Sequence, residues 1–124
     1  MVAPNRSSGY IPDRGDIVRI QFNPQAGSEQ AGHRPALVVS PRAYNGKVGL
    51  AIFCPLTNHV KGYPFEVEIP EGCKATGAIL ADQVKSLDWR ARHAKKFDKA
   101  SEEIMLEVLA KIGVLVGLGD IRYQ

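Results

Sequence analysis

The stretch from Pro35 to Pro55, PALVVSPRAYNGKVGLAIFCP, decides the fold class. It holds two short apolar runs, Pro35 to Ser40 and Val48 to Pro55, each stopped by a proline. Val, Ile and Phe suit a pleated surface, and proline ends a strand because it has no N–H to give to the ladder. Between the runs stands Asn45-Gly46, a turn signal because both residues tolerate left-handed backbone. The two runs are read as central strands. Upstream, Asp16 to Phe22 alternates polar and apolar side chains, which turns Ile17 or Val18 with Ile20 and Phe22 toward a core and predicts a half-buried strand. Downstream, Phe65 to Ile69 alternates and ends at Pro70, and Gly72 and Gly77 flank a turn before Ala78-Ile79-Leu80. This spacing fits antiparallel hairpins.

The period changes after Ala100. Ser101 can cap a helix, Glu102 and Glu103 favour its positive end, and Met105, Val108, Leu109, Ile112 and Leu115 or Val116 recur at helical spacing. Gly113 weakens the last turn and Gly117 ends it. Such a stripe is what helix-on-sheet packing requires. The expected class is mainly β with one C-terminal α-helix, in a small, strongly curved antiparallel barrel of SH3-like form. A single domain is expected over residues 15–117, after a flexible arm at 1–14 rich in Pro, Ser, Gly and Arg, and before a tail at 118–124.

The 124 residues, 44% hydrophobic and 23% charged, match an ordinary soluble domain with one core. Cys54 and Cys73 show neither CxxC spacing nor a disulfide-dense pattern, which favours a reducing cytoplasm and buried thiols over a metal site. No signal peptide and no apolar run long enough to cross a bilayer is visible, so no membrane role is expected. The net charge is +3, but its distribution says more. From Asn23 to Phe65 the only acidic residue is Glu29, against Arg34, Arg42, Lys47 and Lys61, with His33 and His59 nearby. A second basic run holds Lys85, Arg90, Arg92, Lys95, Lys96 and Lys99. If the two tracts converge they make a phosphate-binding face; if not, they are a solvated surface.

GSEQAGHRP at 27–35 gathers an acid, an imidazole and a guanidinium in a glycine-bounded loop between two strands, where charge is cheaply solvated and easily presented. With PLT at 55–57, KGYPFEV at 61–67, LADQVKS at 80–86 and WRAR at 89–92, it resembles the MazF/PemK family, and the MazF branch in particular, from about Ile11 to Gly117. The resemblance implies a CcdB/PemK-like toxin fold and the toxin of a toxin–antitoxin pair. Such a toxin is a homodimeric endoribonuclease that uses no metal or other cofactor, cuts single-stranded RNA, often mRNA, at short sequences, and is silenced by a cognate MazE-like antitoxin.

The resemblance casts Arg34 and Thr57 as catalytic. Cleavage through the adjacent 2′-hydroxyl needs that proton removed, the crowded phosphorane stabilised and the 5′-oxygen protonated. A guanidinium forks onto two phosphate oxygens, which assigns Arg34 to stabilisation, with protonation of the leaving group in a desolvated site left open as a second role; Thr57 then donates its hydroxyl to a non-bridging oxygen. Glu29 orients Arg34, acts as base for the 2′-hydroxyl, or only neutralises a positive loop, and the alternative for Arg34 is to anchor its own loop through Glu29. His33 has the intrinsic pKa of an acid–base group but is assigned to loop packing or RNA contact. Asn58 and His59 stand where close relatives commonly carry Thr and Gln; they can read base edges and stack, so they are expected to tune the cleaved sequence. Lys61 and Lys85 are expected on phosphates and Gln83 on substrate. Asp82 opens a PemK-style acid–base site, but the arginine that should precede it by two positions is Leu80 here, which leaves Asp82 a structural or secondary carboxylate. The rival readings are a gyrase-poisoning toxin of the same fold and a noncatalytic SH3-like binding module.

Overall fold

Strand β3 (Ala51–Thr57) is the hub of the sheet. One edge pairs antiparallel with β2 (His33–Val38); on the other edge its first residues take β6 (Lys85–Leu87) and its last two take β5 (Ala78–Leu80). β1 (Asp16–Gln21) lies outside β2, β7 (Lys95–Lys99) outside β1, and β4 (Glu66–Glu68) outside β5. The computed structural model describes residues 9–22 and 33–118, and among them every strand pair is antiparallel. The expected barrel is an open, curved sheet: β4 and β7 end the strand order and do not pair.

Both faces of this sheet are buried. Side chains alternate across a strand, so Ile17, Leu37, Cys54 and Leu56 face one core while Val18, Ile20, Ala36 and Phe53 face the other. The half-buried strand expected at 16–22 is corrected accordingly: Ile17 is 2% exposed and Val18 0%, on opposite faces. The first face is covered by α2 (Glu102–Leu115), through Ile104, Met105 and Val108. Ser101 caps this helix, its Oγ accepting from the Ile104 N–H at 3.1 Å, and Gly117 at φ +94° follows its last turn. The second face is covered by Trp89 and by Tyr10 and Ile11, ahead of β1.

That leading segment is held by Asp16. Its buried carboxylate accepts from Tyr10 Oη at 2.7 Å and the Asp13 N–H at 3.0 Å, and pairs with Lys96 and Lys99 at 3.4 and 3.5 Å. Part of the second basic tract is thus consumed in holding β7 to β1.

A short helix, α1 (Arg42–Val48), occupies the site of the expected Asn45-Gly46 turn, and β3 begins at Ala51 instead of Val48. Pro41 enters it in extended conformation, and Gly49 closes it at φ +86° with its N–H on the Asn45 carbonyl. Asn45 is fully buried: its amide donates to the Pro12 and Ser40 carbonyls at 2.8 and 3.0 Å and accepts from Ser40 Oγ at 2.6 Å. Its backbone carbonyl accepts from Trp89 Nε1 at 3.0 Å. Gly46 serves a close approach, not a left-handed turn; a Cβ there would stand 3.2 Å from Ile11 Cδ1.

Asp98 links β7 to the loop before β5. Partial burial pushes its carboxyl upward, but the N–H groups of Ala75 and Lys99, at 2.7 and 2.8 Å, outweigh this and hold it below its usual value. A depressed folded pKa stabilises the protein above the unfolded value of about 3.9 and is lost as pH falls through the folded one. Acid unfolding followed by circular dichroism is therefore expected to have a shallower pH dependence below about pH 4 in Asp98→Asn than in wild type.

Candidate active site

β2 and β3 bring two of the expected residues together. Ala36 pairs with Pro55 and Leu37 with Cys54, which brings the start of β2, with Arg34, beside the end of β3, with Thr57. The Arg34 guanidinium reaches across to β3, where Nη2 donates to the Leu56 carbonyl at 3.1 Å. Phe22, which follows β1 and is 5% exposed, lies beneath two cations: Arg34 Cζ is 5.7 Å from its ring centroid and Lys85 Nζ 5.2 Å. With Gln83 and Val84 these three line an open groove of about 450 Å³. The groove is the rim of the second core, on the face away from α2.

This geometry suits an anion. The electron-rich face of Phe22 attracts both cations and orders them without cancelling their charge. Neither forms a salt bridge among the described residues. Arg92 supports the ring from its backbone side, Nη1 donating to the carbonyls of Gln21 and Phe22 at 3.0 and 3.4 Å. The two basic tracts therefore meet in this groove, Arg34 with Lys85.

Thr57 ends β3 partly exposed, its Oγ1 accepting from the His59 N–H at 3.0 Å. That acceptance leaves the hydroxyl hydrogen for another partner. The chain then turns past Gly77, which sits at φ +94°, and a Cβ there would run into the Thr57 carbonyl and stand 2.8 Å from Asn58 Oδ1. Thr76 Oγ1 donates to that same Asn58 oxygen at 3.0 Å. Further on, the Glu66 carboxylate accepts from the N–H groups of Lys61 and Gly62, the latter at 2.6 Å. Asn58, His59 and Lys61 are exposed on this braced loop.

The loop expected at 27–35 is corrected at its end: His33, Arg34 and Pro35 lie in β2 and pair with Gln21, Ile20 and Arg19, and His33 is partly exposed. Glu29 lies outside the described residues. Asp82 does not approach a basic partner among the described residues; its carboxylate accepts from Tyr63 Oη at 3.0 and 3.3 Å. Sequence turned Phe22 toward the core, by the alternation it continues just past β1, but gave neither it nor Val84 a place in the site.

Cys54 is no nucleophile: burial pushes its thiol up to about 12, with the charge of Asp82 adding to the effect. Among the described residues no three His, Cys, Asp or Glu side chains gather so as to hold a metal ion, and no helix is long and apolar enough to cross a membrane.

Residues 13–116 match the family described as "PemK-like, MazF-like toxin of type II toxin-antitoxin system". The chain is 54% identical over 111 residues to the endoribonuclease toxin MazF of Escherichia coli K12, covering 89% of this chain and 98% of that one. A crystal structure of MazF from Deinococcus radiodurans superposes with TM-score 0.80 at 51% identity, over 87% of this chain and 98% of that one. A MazE-MazF complex from the same organism gives TM-score 0.79 at 44% identity, over 89% and 99%.

Proposed function

The chain belongs to the PemK-like, MazF-like toxins of type II toxin–antitoxin systems and is an endoribonuclease of that family; we propose that it cuts single-stranded RNA in the groove between Arg34 and Lys85. What supports this reading is the Arg34 hydrogen bond to the Leu56 carbonyl, next to Thr57, and its position with Lys85 over one buried aromatic ring. A phosphodiester is the anion with the right shape for that site.

The proposed reaction uses the RNA's own 2′-hydroxyl. Its oxygen attacks the adjacent phosphorus as its proton leaves, and the 5′-oxygen departs and takes up a proton, giving a 2′,3′-cyclic phosphate and a 5′-hydroxyl. Charge builds on the non-bridging oxygens on the way, and there Arg34 acts as clamp while the Thr57 hydroxyl donates. Glu29 is the proposed base or orienter of Arg34. Lys85 and Lys61 track phosphates, while Asn58, His59, Gln83 and His33 contact the substrate around the cut. The proposal extends to a cytoplasmic homodimer whose basic grooves are filled by the acidic tail of a MazE-like antitoxin. A gyrase-poisoning role or a noncatalytic module is not favoured beside relatives named as endoribonucleases.

Incubation of the purified protein with a long unstructured RNA in EDTA tests the function. Discrete cuts at a recurring short sequence are expected, and RNA left intact overturns the reading. Gly77→Ala is expected to lower the cleavage rate at least about tenfold, because a misplacement of about 1 Å at a catalytic group costs up to roughly 100-fold. The same substitution strains a left-handed position, so a loss of about 1–3 kcal/mol in urea unfolding accompanies it.

A further inference from the structure

Two segments stand side by side next to the site, and among the described residues one side-chain pair joins them. The first is the braced loop after β3, with Asn58, His59 and Lys61; the second is the turn from Ala81 to Lys85, which supplies Gln83, Val84 and Lys85 to the groove wall. Tyr63 belongs to the loop and Asp82 to the turn, and the Tyr63 hydroxyl donates to both carboxylate oxygens, at 3.0 and 3.3 Å. Backbone bonds converge on the same spot: the Ala81 N–H donates to the Phe65 carbonyl at 2.9 Å, and the Gln83 N–H to the Leu80 carbonyl at 3.1 Å. Glu66, in β4 opposite Leu80, holds the loop's own N–H groups. Desolvation, and then Asp82, raise the Tyr63 phenol above its ordinary value, so it stays a donor across the working pH range.

We propose that the Tyr63–Asp82 hydrogen bond is a positioning contact that fixes the Asn58–Lys61 loop, which leaves β3 at Thr57, against the Gln83–Lys85 wall of the RNA groove. It rests on the RNA-cleaving reading of the groove. Asp82 on this account moves no proton in the reaction; it needs only an oxygen that accepts from Tyr63. Neither residue lines the groove itself, so the contact acts through Gln83 and Lys85 on one side and the loop on the other.

Steady-state cleavage of a short oligonucleotide with a single cut site separates the roles. Tyr63→Phe removes one hydroxyl from a partly exposed side chain. It is expected to raise KM roughly fivefold, the size of one modest hydrogen bond, with kcat changed by less than about twofold. Asp82→Ala is expected to match it, and the double variant to be no worse than either single one. Asp82→Asn keeps an accepting oxygen and is expected to restore KM to near wild type. Hydrogen exchange at the amides of residues 59–63 and 82–85, read without RNA, is expected to quicken in Tyr63→Phe and Asp82→Ala but not in Asp82→Asn. A fall of about 100-fold or more in kcat for Asp82→Asn would make Asp82 a proton-transfer group and overturn the proposal. Unchanged KM and unchanged exchange in Tyr63→Phe would overturn it too, by showing the contact idle. Either result leaves wild-type cleavage intact, whereas failure of the underlying function removes cleavage from wild type itself.

Discussion

Arg34→Ala is expected to lower kcat for RNA cleavage roughly 100- to 1,000-fold, the loss that follows removal of one preorganised donor from a site of developing negative charge. The guanidinium donates to the Leu56 carbonyl beside Thr57 and stands over the Phe22 ring, so its direction is set before substrate arrives. Alanine removes both the charge and the fork. Arg34→Lys keeps the charge on a flexible stem without the planar pair of donors, and an intermediate rate is expected from it. Folding should survive: Arg34 is partly exposed, and among the described residues it gives one hydrogen bond to β3 and one ring contact to Phe22, so a loss of about 1–2 kcal/mol in urea unfolding is expected. Quenched-flow cleavage of the short oligonucleotide, beside an unfolding curve, separates the two effects.

Asn45→Ala is expected to cost about 3 kcal/mol of folding stability, the largest loss foreseen for a residue outside the groove. The Asn45 amide answers two carbonyls, Pro12 and Ser40, and takes the Ser40 hydroxyl, all inside a site with 0% exposure. Truncation strands these groups away from water, and an unsatisfied buried polar group costs about 1–3 kcal/mol. The Ser40 hydroxyl also accepts from the Ile52 N–H at 2.8 Å, so its displacement loosens the start of β3. Urea denaturation is expected to show a lower midpoint with an unchanged slope, and kcat per folded molecule is expected to remain, because Asn45 does not line the groove.

The first five strands rest on patterns that a reader of the sequence can follow, whereas β6 and β7, inside the second basic run, do not, and neither does the order of the strands. Alternation at 16–22 and 65–69, and the β-branched runs after Pro35 and before Pro55, all became strands because the period-two signal is local. The C-terminal helix was equally legible, down to its Ser101 cap. What alternation does not reveal is that both faces of β1 are covered. That depends on Tyr10 and Ile11 folding back over one face and α2 over the other, contacts distant in sequence. The Asn45-Gly46 turn failed for a related reason. The dipeptide reports backbone freedom, while the outcome was decided by carbonyls at Pro12 and Ser40 that only the folded chain presents.

The groove was legible in part. Arg34 and Lys85 stand 51 positions apart in the numbering, and only the pairing of β3 with both β2 and β6 brings them over one ring. Composition showed two basic tracts without showing which members meet. Lys96 and Lys99 turn inward to Asp16, and Arg92 to the backbone beside Phe22, leaving Arg34 and Lys85 as the pair that faces the groove. The role of Asp82 is where local reading reached its limit, because Tyr63 is a neighbour in space alone.

An Arg34 and Thr57 site that cleaves RNA through the RNA's own 2′-hydroxyl leaves its signature in the chemistry of the product ends. A single-site oligonucleotide cut in EDTA is expected to yield a 5′-hydroxyl that accepts phosphate from a kinase without prior phosphatase treatment, opposite a 2′,3′-cyclic phosphate. A substrate with 2′-deoxyribose at the cut position is expected to stay whole. Products ending in 5′-phosphate, or cleavage of the deoxy-substituted strand, would contradict the account.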